Sequence, residues 1–160
     1  MGDHVSMEQN MTEATSGQAG QPPPGQATIA DLMRPPLTTV EQADHAAAAA
    51  YLMKHAGTTA LVVLNPQTGQ PAGIITEADI AHAVADSKDL NNVRIQDLMT
   101  ADPTTINTTA SVRDAAILMT RGHFRHLPVT SGDSALVGMV DISDICRALI
   151  GLDSFDEKET

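Results

Sequence analysis

The 160-residue sequence predicts an α+β fold, two β-α-β-β-α units packed sheet to sheet with pseudo-twofold symmetry. Three observations predict it. The first is an internal repeat: GIITEADI at 73–80 returns as GMVDISDI at 138–145. IADLM at 29–33 also returns as IQDLM at 95–99, TTV at 38–40 as TTI at 104–106, and Leu52-Met53 as Leu118-Met119, each 66 positions on. The second is that turn signals and propensities give both copies the same order of elements. The third is an aromatic content of 2%, confined to Tyr51, Phe124 and Phe155, which leaves packing to Ala, Val, Leu, Ile and Met in closely spaced layers. One unit of about 55–60 residues is too small to bury its sheet and its helices alone. Two units packed together solve that problem, which is why the phrase is written twice.

Residues 1–28 contain QAGQPPPGQA and no apolar periodicity, and predict a disordered tail with Pro22 to Pro24 locally extended. The first unit spans 29–90. It opens on an extended piece at TTV, followed by a helix near Asp44 to His55 whose run AAAAAYLM has high helix propensity. A strand at 59–64 (TALVVL), a turn-rich loop NPQTGQP, a strand at GIIT and a helix from Glu77 complete it. The second unit spans 91–151 and repeats the order. Its first helix opens at Ser111 with Asp114 three residues on, an N-cap pattern. A strand at 125–130 (RHLPVT), the loop SGDSA, the strand LVGMVD and a helix from Ile142 follow, and 152–160 is an acidic tail. Met33, Met53, Met99 and Met119 occupy matched positions and predict core packing.

The formal charge of −11 excludes some functions. Residues 1–28 and 151–160 carry −3 each, and the remaining −5 lies on 29–150, with no basic stripe. Such a surface repels a polyanion, so nucleic acid is not an expected partner. No apolar run approaches the roughly 18–20 residues of a membrane span. The N-terminus lacks the basic and apolar regions of a signal peptide, and the single cysteine, Cys146, has no intramolecular partner; a reduced, cytoplasmic setting is expected. Cys146 is expected as a small buried residue, and His45, His55 and His82 on helix surfaces. His123 and His126 come without CxxC, HExxH or an acidic ligand set, so no metal site is expected. No nucleophile–base pair or paired carboxylate set is recognisable, and no enzyme activity is expected.

The paired units, the DLM lead-in, the RHLPV strand and the phrase G-h-h-[ST]-x-x-D-h resemble a tandem pair of CBS (cystathionine β-synthase-type) domains, often called a Bateman module. The likeness covers residues 29–150. It implies clefts for adenosine-containing ligands: AMP, ADP, ATP or S-adenosylmethionine. It further implies that the aspartate of the phrase holds the ribose hydroxyls and that the hydroxyl residue three before it lies near ribose or phosphate. Thr76 and Asp79 match in copy one, and Asp144 in copy two, where Asp141 stands in the place of Thr or Ser. An acid there repels an α-phosphate and suits an S-adenosyl compound better. Basic residues before the hairpin reach phosphate in this family; Arg125 and His126 match, against uncharged Thr59 and Ala60 in copy one. Adenine is expected near Thr38, Thr39 and Val40, or Thr104, Thr105 and Ile106.

Read as residues alone, the same positions have plainer uses. Thr76 to Asp79 is a capping box, Asp141 an N-cap, and Arg125–His126 a strand entry facing solvent or an acid. A capping carboxylate can still offer its other oxygen to a diol. The resemblance implies a regulatory sensor, a homodimer stacked helix face to helix face, and a regulated protein that reads the ligand state. The alternatives are a ligand-free interaction module and an S-adenosylmethionine sensor.

Overall fold

The computed structural model describes residues 27–35 and 38–151; the expected tails at 1–26 and 152–160, with the proline run at 22–24, lie outside the described residues. Copy one contributes β1 (Thr39–Glu41), α2 (Ala46–Ala56), β2 (Ala60–Leu64), β3 (Pro71–Thr76) and α3 (Glu77–Ala85), preceded by a one-turn helix α1 (Ile29–Leu32). Copy two contributes a 3-10 turn (Ile95–Asp97), β4 (Thr100–Ala101), β5 (Ile106–Asn107), α4 (Val112–Gly122), β6 (His126–Thr130), β7 (Leu136–Asp141) and α5 (Ile142–Leu149). One sheet has the order β1-β2-β3-β4 and the other β5-β6-β7. In each copy the first strand runs parallel to the second across a helix, and the hairpin is antiparallel.

The helix ends follow local chemistry. Ser111 caps α4 and Thr76 caps α3, each in a reciprocal box with the aspartate three residues on. Gly57 ends α2 in the left-handed region (φ 62°), where a residue without Cβ is at ease. α2 starts two residues later than expected, because Asp44 spends its carboxylate on the Glu41 amide and His45 becomes the N-cap residue. Cys146 is exposed, contrary to expectation. The buried side of α5 runs through Ile142, Ile145 and Ala148, which places Cys146 off that stripe.

Both faces of β2 and β6 are covered. Leu61 and Val63 point into one core and Leu127 and Val129 into the other. Strand alternation turns Ala60 and Val62, and likewise Pro128 and Thr130, to the opposite faces, and these are buried too. Thr59 Oγ1 lies 2.8 Å from His126 Nε2, joining the starts of the two central strands.

The lead-ins are exchanged between copies. Ile29 packs in the core of copy two, and Ile95 in that of copy one. Ile29 donates its amide to Ala110 O and Ala30 to Thr108 O; 66 residues on, Ile95 donates to Asp44 O and Gln96 to Gln42 O. β4 then joins β3 at the edge of the copy-one sheet, and its counterpart Arg34 donates its amide to Met139 O of β7 at 3.1 Å. The glycine of the shared phrase serves this exchange. A methyl on Gly73 would collide with Met99 Sδ, and one on Gly138 would lie 2.9 Å from Met33 Sδ and 3.0 Å from Met33 Cβ. Gly138→Ala should therefore cost about 1–3 kcal/mol by overpacking, read as a melting temperature lowered by several degrees. An unchanged melt would mean that the lead-in yields freely. Ala27 and Thr28, read from sequence as tail, are engaged: Ala27 packs on the copy-two core and Thr28 pairs with Asp31 and Ser111.

Candidate functional site

The exchange builds a cleft of about 380 Å³ between the copies, lined by residues of both. Copy one supplies Thr58, Thr59 and Ala60, where α2 ends and β2 begins, together with Thr38 before β1. Copy two supplies Arg125 and His126 at the start of β6, and Asp141, Ser143 and Asp144 at the start of α5. The first lead-in adds Arg34.

Asp144 is the buried acid of this cleft, with a side chain 8% exposed. Its Oδ1 accepts from Arg34 Nη2 at 2.6 Å and lies 3.5 Å from Arg147 Nη1. Its Oδ2 is buried and has no hydrogen-bond partner. A carboxylate oxygen without a partner in such a place is costly, and it is chemically suited to accept from a hydroxyl or amine that enters the cleft.

Asp141 is the N-cap of α5. Its Oδ1 accepts from the Ser143 amide at 2.7 Å and from the Ser143 hydroxyl. Burial raises its pKa, but the two bonds from Ser143, with help from His126 and Arg125, outweigh that and leave it below the usual carboxylate value. Its Oδ2 lies 3.0 Å from His126 Nε2. Burial lowers the pKa of His126, and nearby Arg125 adds to this, while Asp141 and Glu77 partly offset it.

The sign of the His126 effect is fixed by that direction. The unfolded chain takes up a proton as pH falls through about 6.5, whereas the folded protein resists it until lower pH. Stability is therefore full above that value and declines as pH falls toward the folded value. Melting curves from pH 7.5 to 5 should fall more steeply for the wild type than for His126→Gln. Equal slopes would show that the imidazole titrates alike in the folded and unfolded chains.

The structure brings Ala60, Arg125, His126, Asp141 and Asp144 into one cleft. Thr76 and Asp79 do not line it. Asp79 Oδ2 accepts from both the amide and the hydroxyl of Thr76 at 2.8 Å, completing the capping box. Val40 and Ile106 belong to the two cores, and Thr105 is exposed. Thr39 borders a second recess of about 470 Å³ with Glu41, Asp44 and Asn65. His45 departs from the expected helix surface: its Nε2 lies 2.9 Å from Arg94 Nη1 and its Nδ1 is buried without a partner. Arg34 and Arg147 were not legible in the repeat, because position 34 is matched by uncharged Thr100 and neither residue is in the shared phrase. Among the described residues no group of three or more His, Cys, Asp or Glu side chains is placed to hold a metal ion. None of their helices is long and apolar enough to cross a membrane.

Two β-α-β-β-α units that exchange lead-ins around a polar cleft define a class of paired modules. The chain belongs to the CBS domain family, whose model matches residues 29–86 and 95–151. It is 38% identical over 119 residues to an uncharacterized 17.7 kDa protein of Acidianus ambivalens, a match spanning 74% of this chain and 66% of that one. Among solved structures it resembles the CBS domain protein PAE2072 of Pyrobaculum aerophilum complexed with AMP (TM-score 0.73, 25% identity, 79% of this chain and 98% of that one). It also resembles the CBS domain pair of protein MJ0100 in complex with 5′-methylthioadenosine and S-adenosyl-L-methionine (TM-score 0.72, 27% identity, 79% and 98%). The chain spans about two thirds of the length of the first curated relative and 61% of the next, an uncharacterized protein of Methanopyrus kandleri.

Proposed function

We propose that the protein is a cytoplasmic regulatory sensor that binds an adenosine-containing ligand, AMP, ADP or ATP, in the cleft at Asp144. The observation that carries this reading is the Asp144 carboxylate, buried in the cleft wall with Oδ2 unpartnered and with Arg34 and Arg125 also lining the cleft. A ribose diol supplies the missing donors, and the guanidinium groups suit a phosphate. Complexes of the two structural relatives with AMP and with S-adenosyl compounds support the ligand class. Thr59, Ala60, Arg125, His126 and Asp141 complete the cleft.

A homodimer is part of this reading: Tyr51 of α2 and Val84 of α3 leave large apolar side chains exposed on adjacent helices. The regulated protein would read a change in the relation of the copies, and by linkage the ligand shifts that relation only by its differential affinity for the two states. The cleft performs no chemistry in this scheme; it binds and releases.

A second ligand, S-adenosylmethionine, is favoured by one observation. Asp141 and Asp144 both line the cleft, and two carboxylates suit a cation without phosphate. Isothermal titration of the full chain with AMP, ADP, ATP and S-adenosylmethionine decides between them; lacking tryptophan, the protein is better followed by heat than by fluorescence. Micromolar binding of a nucleotide supports the first reading and of S-adenosylmethionine the second. Silence from all four on a folded protein would leave a ligand-free interaction module.

A further inference from the structure

The two copies treat the aspartate of their shared phrase differently. In copy one, Thr76 gives its hydroxyl proton and its amide to Asp79, so that carboxylate is committed to the helix cap. In copy two the N-cap is Asp141, an ionised acid with no hydroxyl proton to give, and it turns to Ser143 instead. Asp144 is thereby left out of the cap. It remains 7% exposed and needs a cation, which Arg34 provides from the exchanged lead-in. The repeat-mate of Arg34 is Thr100, so copy one has no equivalent. Arg34 is held at its backbone by Met139 O, while its side chain stays 65% exposed and borders the cleft.

From this we infer that Arg34 is a specificity-determining residue of the cleft: a latch on Asp144 that favours anionic nucleosides over uncharged ones. The inference rests on the ligand-binding reading above. A ribose diol has two hydroxyl protons to donate, and a carboxylate meets them best with both oxygens. Oδ2 is free, but Oδ1 is taken by Arg34. An uncharged nucleoside must therefore share Oδ1 with the guanidinium that already holds it at 2.6 Å, and returns nothing to that guanidinium. A nucleotide carries its 5′-phosphate on the same ribose and offers the guanidinium a new charge-assisted, bidentate partner. The latch thus opposes adenosine and is offset for AMP.

The test is calorimetric titration of the full-length wild type and Arg34→Ala with adenosine and with AMP, each protein checked for an intact melt. Because the Arg34 side chain is largely exposed, the substitution should leave the fold in place. The ratio of AMP to adenosine affinity should fall roughly tenfold in the variant, with adenosine binding tighter than to the wild type. Adenosine binding that appears only in the variant would support the latch in its strongest form. A ratio unchanged within about twofold, or an equal loss for both compounds, would overturn it and leave the ligand-binding reading standing. Silence from both proteins toward both compounds would instead sink the ligand-binding reading, and the latch with it.

Discussion

Asp144→Ala is expected to lower the affinity of the cleft for AMP by about a hundredfold or more. Charge-assisted hydrogen bonds contribute about 1.5–3 kcal/mol each, and a diol bound to this carboxylate makes two. Losing both removes about 3–6 kcal/mol, and 1.4 kcal/mol is a tenfold change in dissociation constant. A smaller opposing effect comes from removing a negative charge near the phosphate, so the lower half of that range is the realistic reading. The fold should tolerate the change, because the groups left unpaired, Arg34 and Arg147, can both reach solvent. Asp79→Ala is the matched control. Its carboxylate holds the Thr76 amide and hydroxyl, so it should lose about 1 kcal/mol of stability and leave affinity at the Asp144 cleft unchanged. Titration of both variants with AMP decides the matter. Unaltered binding by Asp144→Ala would remove the ribose assignment, and weakened binding by Asp79→Ala would reveal a working cleft in copy one.

How far the sequence reaches is visible in this pair of aspartates. The repeat, the order of elements and both capping boxes at Thr76 and Ser111 were readable, because they depend on residues close in the chain. The departure at Asp141 was readable too. Its consequence, the release of Asp144 from the cap, follows from the lack of a hydroxyl proton but needs a three-dimensional partner to become visible. That partner, Arg34, is 110 residues away. The exchange of lead-ins was hidden for a related reason: a DLM segment has the same pattern whichever core receives it, and both arrangements keep the offset of 66. Cys146 was misplaced because an apolar stretch was read without its helical phase; Ile142, Ile145 and Ala148 hold the buried stripe and the cysteine falls outside it.

Severing the chain between residues 93 and 94 should unfold both halves when they are apart and restore the fold when they are mixed. The fragment 27–93 retains the body of copy one but loses Ile95, Leu98 and Met99 from its core and β4 from the edge of its sheet. The fragment 94–151 loses Ile29, Leu32 and Met33 in the same way. Ile29 and Ile95 are each fully buried, and truncating either to alanine in the whole chain should cost about 2–5 kcal/mol, a large share of the roughly 5–15 kcal/mol that holds an ordinary domain. Removing an entire lead-in removes more than one such side chain, so neither half has the stability to spare. Circular dichroism and proton spectra of the separate and mixed fragments report this directly. Dispersed spectra from either fragment alone would show that a copy folds without the other's lead-in. The expected outcome has a consequence for sensing. If each core is closed by a segment of the other copy, the copies cannot separate as rigid bodies, and under the proposed function a ligand at Asp144 would act on the lead-in that ends in Arg34.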